Sequence, residues 1–160
     1  MNVLVLCTGN SARSILAEAL WANLSHGKVA AYSAGSKPSG APNPHALEAL
    51  KRHGLPTEGL RSKSWLEFEA KTAPQMDVVI TVCDSAASEP CPIWPGAPVR
   101  AHWGLSDPAS VPEGPDAETA FEATFQALKA RIQFCLDAGI MDANIDQRLA
   151  ILKNAHEAEQ

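Results

Sequence analysis

Charged side chains are scarce: they make up 19% of the 160 residues, with 13 Lys and Arg against 18 Asp and Glu and a net charge of −5. A chain this acidic is repelled by nucleic acid and by anionic membrane surfaces, so neither is expected as a partner. No apolar run approaches the roughly 18 residues a membrane helix needs. The apolar start, Met1 to Leu6, has no basic segment before it and no small-residue cleavage site after it. The expectation is a cytoplasmic protein with neither signal peptide nor membrane span. Cysteine is sparse too, at positions 7, 83, 91 and 135 with no Cys-x-x-Cys pair. That is too few for a disulfide-stapled secreted domain and poorly spaced for structural zinc, so the thiols are expected to be free and no metal is expected. Aromatics reach only 6%, and Tyr32 is the single tyrosine.

What the chain does have is 46% hydrophobic residues, enough for one compact core at this length. Val3-Leu4-Val5-Leu6 reads as a strand buried on both faces, followed by the turn residues Thr8-Gly9-Asn10-Ser11. Ile15, Leu16, Ala19, Leu20 and Leu24 then mark a helix ending near Gly27. Further strands are expected at Val29 to Ser33, Val78 to Val82 and Val99 to Trp103, with helices at Pro44 to His53 and Ser64 to Ala70. Four prolines between Pro90 and Pro98 describe an irregular loop. Phe121, Phe125, Leu128, Ile132 and Leu136 describe a long amphipathic helix closed near Gly139, with Cys135 on its apolar stripe. The alternation predicts an α/β three-layer domain around a parallel sheet, spanning residues 1–139. Residues 140–160 form a C-terminal extension in which Ile145, Leu149 and Leu152 allow one short amphipathic helix.

The chemistry concentrates in Cys7-Thr8-Gly9-Asn10-Ser11-Ala12-Arg13-Ser14. A cysteine at a strand end, five residues before an arginine that opens a helix, builds a cradle for an oxyanion. The loop amides point inward, the helix N-terminus adds positive potential, and Arg13 can grip two oxygens at once. The same donors are expected to lower the Cys7 pKa and make it a nucleophile. Ser14 can donate to the sulfur, and Gly9 is expected to permit a turn that a side chain would block.

VLCTGNSARS resembles the start of the low-molecular-weight protein tyrosine phosphatase superfamily, and CDSAASEPCP with HWGLSDPA resembles its arsenate reductase branch. The likeness runs over about residues 2 to 138, and Ser33-Ala34-Gly35 matches a further short motif of that superfamily. It implies a four-stranded parallel sheet flanked by helices (Rossmann-like), Cys7 as nucleophile, Arg13 as oxyanion ligand and Asp107, before Pro108, as the acid. Thioredoxin-coupled members of that branch have a potassium site whose asparagine, serine and glutamate match Asn10, Ser33 and Glu18. Their fourth ligand, an aspartate, falls near Trp65 here, and Asn10 is read instead as a brace of the loop.

Both branches begin with attack of Cys7 on a bound oxyanion, whether phosphate, sulfate or arsenate occupies the loop. A phosphatase then hydrolyses its cysteinyl phosphate with water, whereas a reductase must supply two electrons from thiols. Cys83 follows a buried strand and so lies at the same sheet edge as Cys7, and Cys91 follows on the Pro-rich loop. The expected sequence is a Cys7 arsenate adduct, attack of Cys83 on Cys7, then attack of Cys91 on Cys83. No tightly bound cofactor is expected, and an external thiol reductant, thioredoxin or glutathione with glutaredoxin, restores the enzyme. The superfamily's phosphatases carry tyrosine just after the Asp-Pro pair, whereas here Ala109 and Ser110 follow, which favours a small inorganic anion over phosphotyrosine. The alternative is a phosphatase acting on phosphomonoesters. His102-Trp103-Gly104 is read as a packing anchor for the acid loop, and His45 and His53 as ordinary helix residues.

Overall fold

The computed structural model describes residues 1–90, 92 and 94–157. Strands β1 (Asn2–Leu6), β2 (Ala30–Ala34), β3 (Val78–Thr81) and β4 (Val99–His102) form one parallel sheet in the order β2-β1-β3-β4. Around it lie α1 (Arg13–Leu24), α2 (Pro44–Arg52), α3 (Asp84–Ser88), α4 (Pro115–Asp137) and α5 (Ile145–Glu157).

The apolar run in β1 needs cover on both faces, and alternation supplies it. Val3 and Val5 join the larger core with residues of α1, α2 and α4. Leu4 and Leu6 point the other way, into a smaller cluster of Ala34, Phe68, Met76, Val79 and Trp94. Cys135 is fully buried on α4, where burial pushes its thiol up to about 12. The strand order reverses between β1 and β3, since the chain steps from β1 to one side and returns to the other. The carboxyl ends of these two strands therefore flank the crevice where parallel α/β sheets bind ligands.

Three elements differ from the sequence expectation. The segment expected as a helix from Ser64 is a single 3-10 turn, Trp65–Phe68, capped by Ser64. The stretch after Val82 begins with α3 before the prolines start, its first turn capped by the Cys83 sulfur accepting from the Ala86 amide. α4 begins six residues before its first periodic apolar residue, because Pro115 at its start and Asp116 and Glu118 in its first turn favour initiation. The extension contains α5, whose Leu152 and Ala155 complete the larger core beside Val99 and Trp103. Cys91, with Ile93 and residues 158–160, lies outside the described residues.

Candidate active site

Cys7 directly follows β1 and Cys83 lies two residues beyond the end of the neighbouring β3, with the intervening Val82 amide donating to the Leu6 carbonyl at 3.0 Å. Register alone thus brings the two thiols together at the crevice. Cys7, Thr8, Gly9, Ser11, Ala12, Arg13, Cys83, Asp84, Leu105, Ser106 and Asp107 line a cleft of about 510 Å³. Among the described residues no aromatic side chain lines it.

The loop owes its shape to three backbone facts. The Lys37 and Ser39 amides donate to the Thr8 and Gly9 carbonyls, turning those carbonyls away from the cleft. The amides of Asn10 through Ser14 have no acceptor among the described residues, which leaves them as donors for an anion. Gly35 lets the strand end pass under the loop: a Cβ there would fall 2.4 Å from the Thr8 carbonyl oxygen and 2.5 Å from that of Cys7. Gly9 does not carry the steric demand expected of it. A Cβ on Gly9 would meet only Ser11 Oγ at 3.8 Å, and the left-handed residue is Asn10, with φ 44.

Asn10 holds that conformation by spending every polar atom of its side chain. Oδ1 accepts the Lys63 amide at 2.9 Å, and the two Nδ2 hydrogens go to Ser14 Oγ and Ser33 Oγ, each at 2.9 Å. Ser14, fully buried, accepts there and keeps its own proton to donate. The bracing role read for Asn10 is therefore what the side chain does.

Arg13 lies with its side chain 12% exposed, Nη1 donating to the Leu105 carbonyl at 2.8 Å and Nη2 3.8 Å from Asp107 Oδ1. Its Nε is buried without a partner among the described residues, a donor set aside for an anion. Asp107 is 44% exposed on the loop over the cleft, its carboxylate also accepting the Ala109 amide at 3.0 Å. Trp103 anchors that loop from below. It stacks on Trp21 with centroids 6.3 Å apart and donates to the Leu152 carbonyl at 2.9 Å.

Cys83 Sγ accepts the Thr8 amide at 3.4 Å and lines the same cleft as Cys7, so each thiol bears on the other's protonation. Cys83 is drawn down to about 5, first by the neighbouring Cys7 thiol and then by the amides of Thr8 and Ala86, each 3.4 Å from its sulfur. Cys7 is driven well above the ordinary thiol range, first by the neighbouring Cys83 and then by burial, against the pull of Arg13 and the Gly9 amide. The Thr8 and Ala86 amides thus favour a thiolate at Cys83, while Arg13 and the Gly9 amide favour one at Cys7.

Several neighbours carry no sequence signal. Thr8 Oγ1 donates to Glu89 Oε1 at 3.0 Å, tying the loop to the end of α3. His102 bridges Thr81 Oγ1 at 2.7 Å and Asp84 Oδ1 at 2.9 Å, tying the start of α3 to β4. Lys63 is buried, 7% exposed, with Nζ 3.0 Å from the Arg61 carbonyl, 3.4 Å from Ser33 Oγ and 3.6 Å from Glu18 Oε2. Burial raises Glu18 and lowers Lys63. The potassium ion implied by the sequence likeness does not fit these residues: an ammonium already lies against Ser33 and Glu18, and the Ser33 hydroxyl has no lone pair to spare. Among the described residues no group of three or more His, Cys, Asp or Glu side chains is placed to hold a metal.

Comparison with known proteins adds three kinds of likeness. The model of the low molecular weight phosphotyrosine protein phosphatase family matches residues 2–146. An arsenate reductase of Bacillus subtilis is 36% identical over 128 residues, covering 79% of this chain and 86% of the relative. One from Halalkalibacterium halodurans is 37% identical over 113 residues, covering 71% and 77%. A solved arsenate reductase in its oxidised state superposes with a TM-score of 0.67 at 27% identity, covering 82% of this chain and 93% of that one.

Proposed function

The chain belongs to the low molecular weight phosphotyrosine protein phosphatase family, and from that premise we propose that its cleft reduces arsenate to arsenite through a thiol relay starting at Cys7. The observation that carries this reading is a second thiol in the nucleophile's own cleft: Cys83 lies there with its sulfur 3.4 Å from the Thr8 amide, which electron delivery requires and hydrolysis does not. The similarity to curated arsenate reductases and the absence of aromatic lining in the described cleft support the same choice over phosphotyrosine.

Arsenate docks on the loop amides and on Arg13, whose Nε is free for it. Transfer of the Cys7 proton to Cys83 makes Cys7 the thiolate. Its sulfur attacks arsenic, and Asp107 protonates the departing oxygen so that it leaves as water. Cys83 then attacks the Cys7 sulfur: a Cys7–Cys83 disulfide forms, the S–As bond breaks, and its electron pair leaves with arsenic as arsenite(III). The Cys83 proton goes to an arsenite oxygen. Cys91 attacks Cys83 in turn, freeing Cys7 and leaving a Cys83–Cys91 disulfide. An external thiol reductant, thioredoxin with its dithiol or two glutathione molecules with glutaredoxin, supplies two electrons to reopen it. The proposal includes a cytoplasmic location, where thiols stay reduced; among the described residues no helix is long and apolar enough to cross a membrane.

Cys83→Ser tests the relay. It removes the electron donor and the chief influence holding Cys7 high, so Cys7 stays alkylatable while arsenite release falls by roughly a hundredfold or more. Undiminished arsenite release by that variant contradicts the relay.

A further inference from the structure

We propose that Lys63 is the resident cation of the oxyanion loop, a positioning residue whose ammonium holds Ser33, and through Ser33 Asn10, so that turnover needs no added monovalent cation. The inference goes beyond the arsenate reading, because the loop needs this geometry for any tetrahedral oxyanion.

The hydrogen-bond accounting carries it. The three ammonium protons of Lys63 meet three oxygens, Arg61 O at 3.0 Å, Ser33 Oγ at 3.4 Å and Glu18 Oε2 at 3.6 Å. Ser33 spends its hydrogen on Glu18 and accepts from both Lys63 and Asn10, so its single hydroxyl is saturated. Asn10 has both amide hydrogens and its oxygen engaged as well, and one of its bonds comes from the Lys63 backbone amide. Lys63 thus grips the loop twice, by its main chain at Asn10 and by its side chain at Ser33.

The arrangement is also a charge balance. Glu18 and Lys63 have side chains only 15% and 6% exposed, and a buried carboxylate without a counter-charge is costly. Removing the ammonium leaves Glu18 unpaired and one Ser33 lone pair empty. Asn10, a non-glycine residue at φ 44, then loses support for a conformation that needs it. The hole left by a shortened side chain would be walled by carboxylate, hydroxyl and carbonyl oxygens, the donor set of a hard cation. Potassium and ammonium ions, close in size to the Lys63 head group, are its natural substitutes.

The test uses the full chain in potassium chloride and in choline chloride of equal ionic strength. Three readouts apply: aryl phosphate hydrolysis or arsenite release, the rate of alkylation of the Cys7 and Cys83 pair by iodoacetamide, and the melting temperature. Alkylation and melting do not depend on which oxyanion is the substrate, so a failure here is distinct from a failure of the arsenate reading. Wild type is expected to behave alike in both salts. Lys63→Ala is expected to lose roughly tenfold or more in turnover and alkylation in choline chloride, and to recover several-fold, with a higher melting temperature, in potassium or ammonium chloride. Lys63→Met, which fills the space without charge, is expected to lose as much and recover nothing. Potassium-specific acceleration of wild type overturns the proposal. So does a Lys63→Ala protein unaffected in choline chloride, or one whose losses in rate or melting are the same in both salts. If Lys63→Ala unfolds in choline chloride, the absence of potassium-specific stabilisation overturns it equally.

Discussion

Cys7 and Cys83 titrate as one unit, and the sign of their pH dependence follows from where the amides point. The lowered member, Cys83 at about 5, is a thiolate above that value and loses its charge as pH falls through it. One thiolate per chain, followed by ultraviolet absorbance, is therefore expected to persist from neutral pH down to about 5 and disappear below. Gly35 gives a second test at this scale. Gly35→Ala drives a methyl into the Thr8 and Cys7 carbonyls, and a cost of about 1–3 kcal/mol is expected in denaturant melts, together with slower Cys7 alkylation. Of the site residues, Cys7 and Arg13 were legible because strand, loop and helix chemistry fall in one short segment. Lys63 was not legible, because nothing local marks a lysine that becomes buried only when the Gly35 and Ser64 segments pair. Gly9 was misread because a glycine in a tight loop suggests positive φ, whereas hydrogen bonds hold Asn10 there instead.

At the scale of elements, α2 and α4 are joined by paired rings and carboxylates. His45 stacks on Phe121 with Nε2 2.8 Å from Glu113, and His53 lies 4.0 Å, centroid to centroid, over Phe125 with Nε2 2.7 Å from Glu122. These histidines, read from sequence as ordinary helix residues, clasp two helices. Glu113 raises His45 above its ordinary 6.5, so the contact stabilises the fold fully below that value and loses its contribution as pH rises through the raised one. Glu113→Gln is expected to lower the melting temperature near pH 6 and leave it unchanged near pH 8. Strands and long helices were legible from periodicity because both bury a stripe. α3 was hidden because five residues give no period to read and its cap is a cysteine sulfur, an uncommon N-cap.

At the scale of the molecule, the acid loop and the C-terminal segment share one core. Trp103 donates to the Leu152 carbonyl, and Leu152 is fully buried. Leu152→Ala is expected to cost about 2–5 kcal/mol, read as a melting temperature lower by roughly 2–4 °C per kcal/mol for a chain of this size. The net charge of −5 says little about a small anion, because Arg13 and the unpaired amides supply a local positive field.

The central claim is that two electrons reach arsenic from this chain's own thiols. Arsenate added to the fully reduced protein, with no reductant present, tests it directly by counting thiols and arsenite in one turnover. The account predicts two thiols lost for each arsenite released, with the disulfide mapping to Cys83 and Cys91; arsenite released with the thiol count unchanged, or thiols lost without arsenite, would contradict it.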